Sequence, residues 1–191
     1  MSRKLLRPRA VRGGFLVVLA LVCSPALAQE AEAPKESSNA ARVKFSDAAE
    51  LQNEGLFELA ISEYRDFLKE FPEDPLATKA RHYLGICLLQ EKQYAEAATE
   101  LSTVVSQSPK FELLDEALLS LGSAQFNVAS AANDPKQFGP AAESYGKLIK
   151  QFPKSKLLPS ALFNQGEAYY AMGQRENAAT GGFLVARHPL P

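Results

Sequence analysis

The sequence predicts an all-α chain, a solenoid of about four helix–turn–helix hairpins behind an N-terminal leader. Three observations predict it. Small residues recur in pairs 12 apart: Ala48 and Ala60, Gly85 and Ala97, Gly166 and Ala178. A proline stands 12 positions after the second small residue, at Pro72, Pro109 and Pro153. The spacing between units is 37 residues (48→85→122), with a single longer interval of 44 (122→166). A fixed period of this size marks an array whose units cannot each bury an apolar face alone. Every landmark has a physical job. Small residues let two antiparallel helices approach closely, and Tyr64, Leu101 and Tyr145 fill the gap beside them. Proline ends each unit because it lacks an N–H and clashes with the preceding turn.

Composition sets the bounds. The 191 residues are 46% hydrophobic and 23% charged, as in an ordinary globular chain. The net charge of −1 hides an asymmetry: five of the 21 basic residues fall in the first 28 positions, where there is no acid. The rest carries 16 basic against 22 acidic residues. That balance lacks the basic stripe of a nucleic-acid binder.

Residues 1–28 are expected to be a signal peptide. Arg3, Lys4, Arg7, Arg9 and Arg12 give a basic start, and Phe15–Val22 is an apolar run. Ala26-Leu27-Ala28 then supplies the small-x-small pattern of a cleavage site. The competing reading is an uncleaved anchor, but the apolar run is far short of the roughly 20 residues a bilayer span needs. Leu21 and Val22 do not give the small residue usual beside a lipidated cysteine, which argues against lipidation at Cys23. The expectation is export to the periplasm of a Gram-negative bacterium, with cleavage after Ala28 and no direct membrane span afterwards. Residues 29–40 are polar and acidic, too poor in apolar side chains to offset chain entropy, and are expected to form a flexible linker.

The repeat domain follows over 41–191, in units of about 41–74, 75–111, 112–155 and 156–191. The first helix pair is predicted at about Ala41–Asn53 and Leu56–Phe71, turning at Gly55. The second spans about Leu76–Glu91 and Tyr94–Ser106. Leu113–Ala131 opens the third pair and Gly139–Gln151 closes it, with Pro140 in the first turn where an N–H has no intrahelical partner anyway. Pro159–Met172, turning at Gly173, and Arg175–Arg187 make the fourth. Two irregularities break the pattern. Seven extra residues fall around Ala129–Phe138, about two helical turns. The first helix of that unit is therefore expected to run longer and end in a protruding loop at Asn133-Asp134-Pro135, either neutral decoration or a partner contact. In the last helix Gly181 and Gly182 replace the expected bulky residue, each costing about 1 kcal/mol relative to alanine. That helix is expected to fray, or the natural protein to be longer.

These landmarks resemble the tetratricopeptide repeat family, whose motif wants small residues at positions eight and twenty, a large one at twenty-four and proline at thirty-two. Ala48, Gly85, Gly122 and Gly166 match the first position, and Ala60, Ala97, Ala141 and Ala178 the second. The resemblance implies a right-handed superhelix that binds protein segments on its concave face. The 37-residue period and the closing Phe71-Pro72 and Phe152-Pro153 are similar to repeats of bacterial envelope proteins, the Tol–Pal coordinator and the outer-membrane assembly lipoprotein. The latter also has a longer third unit with an Asp-Pro break, similar to Asp134-Pro135.

No catalytic constellation stands out. His82 and His188 lie in different units, and neither has metal-like spacing to a cysteine or acid. Cys87, on a helix beside Gly85, is expected to be a small core residue. His82 lies five positions before it, which is not the helical spacing that brings side chains together. Glu167 has no second carboxylate to work with. No catalytic residue, cofactor or metal is expected.

What remains is surface. Carried over from the family motif, the concave groove takes Arg42, Phe45, Ala49 and Gln52 from the first unit and Lys79, His82, Ile86, Leu89 and Gln90 from the second. The third supplies Glu116, Leu119, Ser123, Phe126 and Asn127, and the fourth Ser160, Phe163, Glu167 and Tyr170. Such a groove, apolar and aromatic with scattered charge, suits an extended segment or helix anchored by hydrophobic side chains. Ile86 and Leu119 have a second reading, as packing between adjoining helices. Phe126 and Tyr170, near helix ends, are the stronger candidates for partner contact. Only Lys79 and Arg42 fit the family's carboxylate-gripping pattern, so a chaperone-tail receptor is not implied. The functional expectation is a non-enzymatic periplasmic or envelope scaffold that binds a protein partner. Its rivals are an accessory part of a longer cell-wall enzyme and a self-associating structural module.

Overall fold

Backbone punctuation sets the architecture. The computed structural model describes residues 36–174 and 177–179. It contains α1 (Asn39–Asn53), α2 (Phe57–Glu70), α3 (Ala77–Gln90), α4 (Tyr94–Gln107) and α5 (Leu114–Ala132). A 3₁₀ turn (Pro135–Phe138), α6 (Gly139–Gln151) and α7 (Leu158–Ala171) follow. There is no strand among the described residues. The chain divides into Met1–Ala33 and Pro34–Pro191, and every described residue belongs to the second unit. The expected signal segment, the start of the linker and Gly181-Gly182 lie outside the described residues.

Helix ends fall within two residues of those predicted, for local reasons. Gly55, Lys92 and Gly173 occupy the same place in their hairpins with φ of 76°, 58° and 75°. This left-handed residue lets the next N–H reach back five positions: Leu56 to Leu51 O, Gln93 to Leu88 O, and Gln174 to Tyr169 O, at 2.8–2.9 Å. Those bonds satisfy carbonyls that the helix end leaves orphaned. Between hairpins, Phe71, Ser108 and Phe152 share a second conformation, with φ near −126° in each, just before the unit-closing prolines. The expected linker is shorter than 29–40 at its far end. Ser38 accepts from Ala41 N at 3.1 Å and starts α1 at Asn39, while Ser37 Oγ donates to Asp74 Oδ1 at 2.6 Å. A serine cap satisfies an otherwise unpaired first-turn donor.

Consecutive helices pack antiparallel in pairs, each against the next along the chain. Ala48, Ala60, Ala97 and Ala141 are fully buried, and the large residues between them, Tyr64, Leu101 and Tyr145, are buried with them. The helix approach depends on the missing side chains. A Cβ on Gly85 would lie 2.6 Å from Leu101 Cγ, and one on Gly122 would lie 2.5 Å from Tyr145 Cε1. Cys87 is buried in the first core cluster.

The long third unit shows one correction. α5 does run on, to Ala132, and stops at Asn133 in a left-handed conformation with φ of 52°. The residues after it protrude only in part: Asn133 and residues 135–137 are exposed, but the end of the segment is tied down. Asp134 caps the 3₁₀ turn through Lys136 N at 3.0 Å, and Phe138 folds back into a buried cluster with Ala129, Ala141, Tyr145 and Ala168. An aromatic ring placed after an Asp-Pro stop is apolar area the chain can bury, and that burial draws the segment inward.

Candidate partner-binding groove

α1, α3, α5 and α7 are the first helices of their hairpins, and they carry every expected groove residue. On α1, Phe45 is half-buried, its ring edge-on to Tyr64 and Phe67 at 5.9 Å. Gln52 accepts the Tyr64 hydroxyl at 2.9 Å, and exposed Arg42 bonds Asn39 at 2.6 Å. On α3, Lys79 pairs with Glu112 at 3.0 Å. Leu89 packs half-buried on the first core cluster, Ile86 is half-buried and Gln90 is exposed.

His82 departs from expectation. Its side chain is 1% exposed, wedged between the rings of Tyr83 (5.2 Å) and Phe111 (5.5 Å), so it is not open groove surface. Nε2 lies 3.8 Å from Glu116, and Nδ1 has no partner. Burial, with Lys79 nearby, lowers its pKa to about 4, so the imidazole is neutral at pH 7. The motif position alone did not reveal that Phe111, at the end of the same unit, covers it.

On α5 and α7 the expected residues come together. Ser123, Phe126, Asn127, Phe163 and Glu167 line an open cleft of about 330 Å³. Tyr145 and Asn164 complete it, and neither was in the expected set. Asn164 was legible, because residues 160, 163, 164 and 167 share one face at helical spacing. Tyr145 was not, because the same ring is also core. Its hydroxyl donates to Ser123 Oγ at 3.3 Å, while Asn127 Nδ2 donates to Ser123 O at 2.8 Å. Phe126 meets Phe138 edge-on at 4.9 Å, which fixes it as a wall of the cleft. Phe163 is 48% exposed. Tyr170, 65% exposed, lies outside this cleft, and Leu119 packs half-buried against both later core clusters. Ser160 is half-buried.

A second cavity, of about 320 Å³, opens between α4, α5 and α6. Its polar landmark is buried Ser144, whose hydroxyl donates to Gln125 at 2.7 Å. It contains none of the expected groove residues.

Among the described residues, no group of three or more His, Cys, Asp or Glu side chains is placed to hold a metal ion. Burial pushes the Cys87 thiol up to about 12, which leaves it without thiolate character at neutral pH. No described helix is long and apolar enough to cross a membrane.

Paired helices with small residues at the contacts and a groove on the first helices define a repeat solenoid of the protein-interaction type. Residues 45–110, and then 116–155 and 160–181, match family descriptions that both read "Tetratricopeptide repeat". The chain belongs to the tetratricopeptide repeat family. Among solved structures it is similar to MamA (residues 41 to the end) from Desulfovibrio magneticus RS-1, at 21% identity and a TM-score of 0.64. That match covers 77% of this chain and 74% of the other. It is also similar to the tetratricopeptide-like repeats of a kinesin light chain homologue from Podosopora anserina. There the identity is 18% and the TM-score 0.61, over 77% of this chain and 74% of that one. At such identities the likeness concerns the fold. No curated protein sequence matches the chain. No enzyme family is indicated by these matches, and the family's fold is typically a non-catalytic scaffold for protein partners.

Proposed function

We propose that this chain is a non-enzymatic, exported scaffold that holds an extended segment or helix of a protein partner against α3, α5 and α7. The observation that carries the reading is the cleft between α5 and α7. It is preformed, walled by Phe126 and Phe163, and floored by the Tyr145–Ser123 hydrogen bond. Aromatic walls with a few placed polar groups are the usual make-up of a site that anchors one large side chain and orients its backbone. A periplasmic or envelope setting is supported by the basic and apolar leader ending in Ala26-Leu27-Ala28, and by the Phe-Pro ends of two units. A role in envelope or outer-membrane assembly fits that setting.

The test is photo-crosslinking in cells. A photoreactive residue replaces Phe163 or Tyr170, with exposed Lys69 on the outer face of α2 as the control. One partner captured from both groove positions and not from Lys69 is expected. Equal capture from all three overturns the reading.

A further inference from the structure

The charge of the groove narrows the partner. Among the described residues, Glu167 is the only charged residue lining the α5–α7 cleft, and it makes no ion pair there. Glu116 lies two turns before Ser123 on the same face of α5, with its side chain 51% exposed. The group nearest it is His82, which burial keeps uncharged at neutral pH. The lysine on the neighbouring stretch of α3, Lys79, is already committed to Glu112. Among the described residues, Glu167 in the cleft and Glu116 further along the groove, beside α3, are therefore left without a cationic partner.

The neutral polar groups point the same way. Asn127 donates one of its two amide N–H groups to Ser123 O, which leaves its Oδ1 as an acceptor beside one further N–H. Ser123 Oγ donates to Leu119 O and receives the Tyr145 hydroxyl. The cleft thus offers a single negative charge, with neutral amides that can donate or accept, beside exposed aromatic faces. Such a site favours a ligand with N–H donors and positive charge next to an apolar group.

We infer that the groove selects a partner segment in which a large apolar side chain sits beside a lysine or arginine. The apolar side chain enters between Phe126 and Phe163, and the cation lies against Glu167. This rests on the groove reading above and adds the chemistry of the occupant. An acidic segment would meet Glu116 and Glu167 as like charges and be rejected.

The test is NMR titration of the 15N-labelled protein with two probes, N-acetyl-Phe-Arg-amide and N-acetyl-Phe-Glu-amide. The expected result is saturable shifts of the Ser123, Asn127 and Glu167 amides with Phe-Arg-amide, at millimolar half-saturation. Phe-Glu-amide binds about fivefold more weakly or worse, and Glu167→Gln removes the preference. Glu167 is exposed, so this variant keeps the fold, which circular dichroism checks. Equal shifts from both probes overturn the charge selection and leave the groove reading standing. Shifts confined to the Ser102–Ser144 side, or none, overturn both. Shifts of the same amides on concentrating the protein without probe would make a second copy the occupant, and would also overturn the proposal.

Discussion

Gly122→Ala tests the packing argument at its tightest point. The added methyl would lie 2.5, 2.7 and 2.8 Å from Cε1, Cδ1 and Cζ of Tyr145. Favourable carbon–carbon contact starts near 3.5 Å, so ring or helix must give by about 1 Å. The first hairpin shows how an alanine is accommodated. There the equivalent pair is Ala48 and Tyr64, and the tyrosine hydroxyl reaches Gln52, four residues further along α1. The residue four beyond Gly122 is Phe126, held against Phe138, so Tyr145 is denied that partner. Overpacking costs about 1–3 kcal/mol. Replacing a mid-helix glycine by alanine returns about 1 kcal/mol. The net expectation is a loss of up to about 2 kcal/mol, or a Tm lower by up to about 4–8 °C in a chain of this size. Urea unfolding followed by circular dichroism measures it. Gly146→Ala is the control. Its methyl would meet only Gln165 Nε2, the end of a flexible side chain, at 2.8 Å. That variant should fall between neutral and about 1 kcal/mol more stable. If Gly122→Ala behaves like Gly146→Ala, the close-approach reasoning is refuted.

Other perturbations check other parts. His82 has a pKa of about 4 in the folded chain, against about 6.5 unfolded. Its contribution is whole above pH 6.5 and is lost as pH falls toward 4, by at most about 3 kcal/mol. His82→Gln should flatten that part of the pH–stability curve, and an unchanged slope would remove the burial argument. Lys92 carries a side chain where its counterparts are Gly55 and Gly173, so Lys92→Gly should stabilise by about 0.5–1 kcal/mol while Gly55→Ala costs about 1 kcal/mol in thermal melts. Phe138→Ala should cost about 3 kcal/mol in the same assay if the long third unit is anchored through this ring. Cys87 should resist a thiol reagent in the native protein and react at once in denaturant, since it is buried and its pKa is pushed up.

The helix pairs were legible because each boundary is written in local chemistry. Gly55 and Gly173 turn the hairpins, Pro72, Pro109 and Pro153 close the units, and Ala48, Gly85 and Gly122 announce close contacts. Lys92 was less visible as a turn residue, because nothing in a lysine signals positive φ; only its register with the two glycines does. The exposed break at Asn133-Asp134-Pro135 was legible, but the inward turn of Phe138 after it was not, since local signals mark a break but not where the chain goes next. In the groove, motif positions found one side of each first helix but not what later parts of the chain lay over it. Phe111 covers His82, whereas Phe163 stays open beside Phe126. Such cover comes from residues far outside one helix, which helical spacing within that helix does not reveal.

The proposed groove holds a partner on the first helices of the hairpins. Hydrogen–deuterium exchange of the chain, alone and bound to the partner identified by crosslinking, tests it most directly. Binding in the groove should slow exchange along α5 and α7 around Ser123–Asn127 and Phe163–Glu167, with α2 and α4 unchanged. Protection confined to α4 and α6, around Ser102 and Ser144, would put the partner in the other cavity and contradict the claim.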